Sequence, residues 1–302
     1  MVLGVGADSN VQDDLGLSAL HYVAMRGSIK VASTLVSSGA DVNAVDVCKN
    51  TFLHWAAYYG HGDFITMFWS AYSPLMINKD GRTLLHLAVI GWGDDKTRNS
   101  QKPGDIKGDT TQEEREALVR ALLDRGLLRN QEDTWKRLPL HYAAIRGSVN
   151  LVKVLLSAPS QATLRRLDRD NIMSRDNNGN LPFHYAIKGG HHAVARLLLE
   201  HGGKGLVDEL ANQELHVIAG TEIIFSHQTA LHFAVEEGNE EMVQLLLAHG
   251  ANSTIEDRSG RTPIDIARDL RYTTILDLLK QASDTKHKRS KCAKRRRVQT
   301  ST

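Results

Sequence analysis

Fourteen histidines in 302 residues are the first place to look for metal ligation or acid–base chemistry. Six of them, His21, His54, His86, His141, His184 and His232, stand in one recurring phrase, apolar–His–apolar: "ALHY", "FLHW", "LLHL", "PLHY", "PFHY" and "ALHF". A histidine so placed reads as structural, because its two ring nitrogens can tie a helix start to neighbouring backbone. The pair His191-His192 follows Gly190 in the same repeated context. No cysteine–histidine spacing suits a tetrahedral zinc site, and Cys48 and Cys292 are too few for a disulfide framework. "GGKG" at Gly202 lacks the spacing of a phosphate loop. "RDNNGN" at Arg175 lacks the glutamate that closes a calcium loop. No serine or cysteine nucleophile motif is present. These patterns predict a chain that is not an enzyme and holds no metal or cofactor.

The phrase leads to the elements that carry it. The gaps between successive histidines, with Asp265 taking a seventh slot, are 33, 32, 55, 43, 48 and 33 residues, a base period of 33 lengthened by insertions. In most copies a Ser or Thr (Ser18, Thr51, Thr83, Thr229, Thr262) precedes the histidine and can accept a backbone N–H at a helix start. Pro139, Pro182 and Pro263 fit the first helical turn. Small residues such as Ala56-Ala57 and Ala143-Ala144 allow a neighbouring helix close. Gly27, Gly60, Gly147, Gly190 and Gly238 suit the left-handed end of a helix. A second helix follows, with apolar spacing such as Val152, Leu155 and Leu156, and then a turn such as "DDLG", "DNNG" or "DRSG".

These residues resemble the ankyrin repeat over roughly residues 6–283. The resemblance implies an all-α repeat solenoid of about seven helix–turn–helix units with β-turn fingers, starting near residues 16, 49, 81, 136, 179, 227 and 260 within a domain at 16–283. "GADSN" at Gly6 stands 33 residues before "GADVN" at Gly39, so residues 1–15 read as the remnant of a preceding repeat. Either the first full unit then ends in an exposed apolar face, or the chain is a truncated form of a longer one. The seventh unit, with Asp265 for His and Arg271 for Gly, resembles a C-terminal cap.

Insertions are expected at about 94–112, 157–175 and 203–225. The first, polar and containing Pro103-Gly104, falls between the two helices of the third unit as a mobile loop. The other two lengthen fingers, and the apolar "HVIAGTEIIF" in the last is expected to pack on the repeats.

Framework residues build the stack, so partner choice must lie where copies differ. The resemblance places the two residues before the helix-ending glycine on the concave face. This predicts contacts to a protein partner through Met25, Arg26, Tyr58, Tyr59, Ile90, Ile145, Arg146 and Lys188, with Trp135 and Lys136 at a fingertip; Tyr58 and Tyr59 are expected to be exposed. Tyr, Trp and Arg dominate interface hot spots. The aromatics that directly follow the histidine are expected mostly in the core. Leu35 with Asp41-Val42-Asn43 matches a pattern hydroxylated at Asn in many ankyrin proteins, making Asn43 a candidate modification site.

Residues 286–297, "KHKRSKCAKRRR", hold eight Lys or Arg and no acid. Taking these from the 37 bases leaves 29 against 35 acids, an acidic body with a basic tail at 284–302 that is expected to be disordered. Lys294, Arg295, Arg296 and Arg297 resemble a nuclear-import signal, which predicts an import receptor as a second partner and a nuclear or cytoplasmic location. Nucleic acid and anionic membrane are the lesser alternatives for this tail. No apolar run is long enough to cross a bilayer. The expected function is a non-catalytic interaction scaffold or adaptor that regulates a protein partner. The alternative is the substrate-recruiting portion of a larger enzyme, such as a ligase, kinase or acyltransferase.

Overall fold

The computed structural model describes residues 8–71, 76–91, 110–157, 171–203, 205–211, 214–215, 224–225 and 227–283. The expected insertions lie largely outside these residues, and the basic tail lies wholly outside them. The chain divides into two compact units, Met1–Leu164 and Arg165–Thr302.

The first unit stacks four helical pairs: α1 (Ala19–Arg26) with α2 (Ile29–Ser37), α3 (Phe52–Tyr59) with α4 (Gly62–Met67), α5 (Leu84–Ile90) with α6 (Gln112–Asp124), and α7 (Pro139–Arg146) with α8 (Val149–Leu156). The odd-numbered helices pack on one another in order, and α2, α4, α6 and α8 do likewise. Between them lies a core of Leu20, Leu53, Ala56, Leu85, Ala88, Ala143 and Leu151, all essentially inaccessible to water. A helix of seven or eight residues is too short to persist alone, so burial of its apolar face supplies most of its stability. The second unit contains α9 (Pro182–Lys188) with α10 (His192–Gly202), α11 (Ala230–Glu236) with α12 (Glu240–Ala248), and α13 (Pro263–Asp269) followed by a helix over 273–283.

The helix starts follow the sequence closely. The backbone N–H of Ser18, Thr51, Thr83 and Thr229 donates to Nδ1 of the histidine three residues on, at 3.0–3.2 Å. This is a capping box in which imidazole takes the place of the usual Glu or Gln. Leu138 and Leu181 provide no side-chain cap, yet their N–H groups still reach His141 and His184 at 3.0 Å. The glycine after α1 has φ 69°, and a Cβ on it would stand 2.6 Å from the His61 ring of the next pair. Gly27 is therefore fixed by both backbone conformation and lack of space.

The lengthened finger at 203–225 is built partly as a hairpin. β1 (Leu210–Ala211) pairs antiparallel with β4 (Gln228–Thr229), and β2 (Glu214–Leu215) with β3 (Ile224–Phe225). At its base Leu206, Val207 and Ala211 are buried. The tip of "HVIAGTEIIF" lies outside the described residues.

Candidate interaction surface

Because a backbone N–H donates to Nδ1 in each repeated histidine, that nitrogen must be unprotonated and Nε2 carries the hydrogen. Nε2 of His21, His86, His184 and His232 then donates to a carbonyl of the following finger: Asn50 at 3.2 Å, Arg137 at 3.1 Å, Glu209 at 3.0 Å and Arg261 at 3.2 Å. Burial disfavours the charged ring and pushes His54, His86 and His184 down to about 4. These rings are neutral ties at neutral pH. Among the described residues no group of three or more His, Cys, Asp or Glu is arranged to hold a metal.

A second set of ties orders the fingers. Asp13, Asp46, Asp133 and Asp176 stand eight residues before the histidine, and one carboxylate oxygen accepts the N–H groups two and four residues on. The other oxygen accepts from the aromatic that follows the histidine: Tyr22 at 2.6 Å, Trp55 Nε1 at 3.0 Å, Tyr142 at 2.5 Å and Tyr185 at 2.5 Å. Each of these four fingers is thus pinned to its own inner helix. Burial, with the bond to Asp133, pushes the Tyr142 phenol up to about 12. These aromatics divide: Tyr142 and Phe233 are buried, Trp55 and Tyr185 half-buried, and Tyr22 exposed.

Three of the expected contact residues are in the core. Tyr59 has no exposed surface and packs with Met25 and Leu17, while the His61 ring stacks on it with an interplanar angle of 10°. Met25 is 1% exposed and Ile90 7%. On a helix of two turns the last two residues project to different sides, and in α1 and α3 one of them turns inward; the last residue of α5, Ile90, does the same. Three others do internal work. Arg146 is half-buried and donates Nη1 to the Ile90 carbonyl, beside a half-buried Ile145. Lys188 is half-buried with Nζ 4.6 Å from the Phe233 ring centre. Arg26, Trp135 and Lys136 are exposed, and Tyr58 is half-buried against Trp55. Asn43 is exposed, and its N–H donates to Asp41 Oδ1 at 2.8 Å. Lys294, Arg295, Arg296 and Arg297 lie outside the described residues.

Sequence reasoning overlooked Arg115 of α6. Although it is only 5% exposed, its Nη1 donates to the carbonyls of Ala88 at 3.0 Å and Tyr58 at 3.3 Å. It thereby satisfies backbone groups at the ends of two inner helices. Thr110 does the same for the Tyr59 carbonyl at 2.5 Å, and His61 for Met25 at 2.9 Å.

Five of the exposed apolar side chains of the first unit stand on its fingers, Val11, Val45, Val47, Ile77 and Trp135, the last three 52%, 47% and 39% exposed; Val31, Met67 and Leu128 are exposed on or after the outer helices. Backbone bonds join the fingers in sequence, Val47 N–H to Leu15 at 3.0 Å, Lys79 N–H to Cys48 at 2.8 Å and Thr134 N–H to Asp80 at 2.9 Å. Arg82 lies between the rings of Trp135 and Tyr142, 5.0 and 5.3 Å from their centres, which holds the exposed indole in one orientation. The result is a continuous, preorganised ridge of apolar and cationic groups. The signal for it was in the turn sequences, where "DVCK" and "DTWK" replace the Asp-x-x-Gly of other copies.

The crystal structure of the human ASB11 ankyrin repeat domain superposes with a TM-score of 0.63 at 22% identity, covering 88% of this chain and 98% of that one. A putative ankyrin repeat protein of fowlpox virus, FPV223, is 30% identical over 142 residues, which cover 47% of this chain and 84% of the viral protein. The human transient receptor potential cation channel subfamily A member 1 is 29% identical over 71% of this chain, and the E3 ubiquitin-protein ligase KEG of Arabidopsis thaliana 26% over 72%. The chain spans only 17% of that channel and 14% of that ligase. Family models of ankyrin repeats match residues 20–68, 110–208 and 204–289, stretches that hold five of the six capping histidines; the chain belongs to the ankyrin-repeat family.

Proposed function

We propose that this chain is a non-catalytic adaptor whose protein partner docks on the finger ridge of the first unit and on the adjoining aromatic side chains Tyr22 and Tyr58. Ankyrin repeats are protein-binding modules as a family, and the concentration of Val47, Ile77 and Trp135 on neighbouring fingers carries the choice of surface. Exposed apolar groups held rigid by buried ties lose little entropy on association. The test compares proteins retained by the wild-type chain and by Val47→Ser/Ile77→Ser/Trp135→Ala, with the fold checked by circular dichroism. Loss of partners from a folded variant supports the ridge, and an unchanged set rejects it.

Regulation in the nucleus is the second part of this reading, resting on Lys294, Arg295, Arg296 and Arg297. A fluorescent fusion lacking residues 286–297 that still concentrates in the nucleus would overturn it. Hydroxylation at Asn43 belongs here too, supported by its exposure, and a mass increase of one oxygen on the peptide that contains it is the check. One observation favours a different role, recruitment of substrates within a larger protein: the ligase and channel relatives each carry the matching repeats as a small part of their length. Transcript sequence extending upstream of Met1 in frame would favour that alternative.

A further inference from the structure

Six fingers among the described residues turn on four residues, the first an Asp or Asn and the fourth in the left-handed backbone region. That fourth residue is Gly16, Gly81, Gly179 and Gly260 in four of the fingers, at φ 69–75°. It is Lys49 in the second finger, at φ 60°, and Lys136 in the fourth, at φ 57°. A residue with a Cβ is disfavoured there, and glycine removes the penalty. Non-glycine residues kept in such conformations gather where a contact depends on them.

We infer that Lys49 and Lys136 are the groups with which the finger ridge recognises an acidic segment of a partner protein, an inference that rests on the ridge being the docking surface. Both side chains are exposed, and among the described residues neither has an ion pair or hydrogen bond. The nearby carboxylates are committed elsewhere. Asp46 accepts the N–H groups of Cys48 and Asn50, the Asn50 amide and the Trp55 indole. Asp133 accepts from Trp135, Arg137 and Tyr142. Asp80 pairs with Arg82 at 3.3 Å. On the second to fourth fingers that leaves Glu132 against Lys49, Lys79 and Lys136, while Asp14 is exposed on the first.

Arg271 provides the contrast. It too is left-handed, at φ 60°, but it follows the end of α13, where the helix dipole itself favours a cation. Lys49 and Lys136 follow no helix end, so their charge has no such internal purpose. Beside them stand Val47 and Trp135, two and one residues respectively before the left-handed position. A partner that fits therefore alternates acidic with apolar side chains, the carboxylates meeting the lysines and the apolar groups meeting Val47, Ile77 and Trp135.

The test is fluorescence anisotropy with a labelled peptide alternating glutamate and leucine, added to the full chain at low and physiological salt. The expected result is binding that weakens as salt rises, and that falls about tenfold in Lys49→Glu/Lys136→Glu, since charges at the rim of an interface act through encounter and salt dependence. Lys49→Gly/Lys136→Gly should also lose affinity while melting at the same or a higher temperature, because the turn conformation suits glycine. A lysine–leucine peptide should not bind. No binding of the acidic peptide to the wild type, or equal binding by the glycine variant, overturns the inference. If Trp135→Ala loses the peptide while both lysine variants keep it, the ridge stands and the lysines do not; if all variants bind alike, the ridge itself is rejected.

Discussion

Nε2 of His86 donates to the carbonyl of Arg137 at 3.1 Å, across 51 residues of chain. In the first unit and in the second, His21 reaches Asn50 and His232 reaches Arg261 across only 29. The long insertion therefore leaves the tie between one helix start and the next finger unchanged. Loop length adds slowly to the cost of closure, whereas a lost tie would orphan a buried N–H and a buried carbonyl together. His86→Ala should accordingly destabilise the chain by about 2–4 kcal/mol, measured as a drop in urea midpoint with unchanged slope.

The same rings make stability depend on pH. His54, His86 and His184 are held down to about 4 from the ordinary 6.5 by burial. The unfolded chain takes up protons on them near 6.5 and the folded chain only near 4, so acid favours unfolding between those values. Their stabilisation is complete above about pH 6.5 and is lost progressively down to about 4, at roughly 1.4 kcal/mol per pH unit for each ring. Urea midpoints from pH 7.5 to 4.5 should fall, and His86→Gln should flatten the curve. An unchanged slope in that variant would reject His86 as a contributor.

Arg115 and Gly91 form a matched pair. A Cβ on Gly91 would lie 2.1 Å from Arg115 Nη1, at a backbone φ of 54°. Gly91→Ala should therefore cost more in the wild type than in the background of Arg115→Ala, where the guanidinium is gone. Arg115→Ala alone should cost about 3 kcal/mol, because a buried and a half-buried carbonyl lose a charged donor. A double-mutant cycle by denaturant unfolding reads the coupling; additive effects would show that the close approach carries no energy.

Much of this fold was legible because each repeat position has one physical task. Thr83 caps, His86 ties, Gly60 ends its helix, and the same letters at the same spacing say so in other copies. The contact surface was less legible because a rule about position before the glycine ignores which way a short helix faces. Met25 and Tyr59 satisfy that rule and lie inside. Arg115 was invisible for the opposite reason: on its own helix it looks like an ordinary surface arginine, and only stacking brings it under Ala88 and Tyr58. Lys49 and Lys136 could have been found by aligning the finger turns, since a lysine in a glycine position is a local inconsistency visible without any coordinates.

Asp133 and Tyr142 test whether the finger ties are structural. Asp133→Asn keeps an oxygen for the Trp135 and Arg137 N–H groups but presents an amide to a phenol that must donate. The Arg82 guanidinium also loses the more distant of its two charge partners, keeping Asp80. A loss of about 1–3 kcal/mol is expected. Tyr142→Phe, which removes the donor as well, should cost less in the Asp133→Asn background than in the wild type. Asn78 is the natural precedent, taking both N–H groups on its amide oxygen and spending its NH2 on Asn50.

Tyr58 and Tyr59 stand side by side, with ring centres 5.5 Å apart, yet substitution should separate them cleanly. Tyr59→Ala removes a side chain with no exposed surface from the cluster with Met25 and Leu17, and should cost about 3–5 kcal/mol through lost burial and the cavity left behind. Tyr58→Ala removes a half-buried ring and should cost about 1–2 kcal/mol. A thermal melt of each single variant must therefore precede any binding comparison. Loss of a partner in Tyr59→Ala reports unfolding, whereas loss in a folded Tyr58→Ala reports a contact. If Tyr59→Ala melted like the wild type, the packing of the aromatic cluster described above would be wrong.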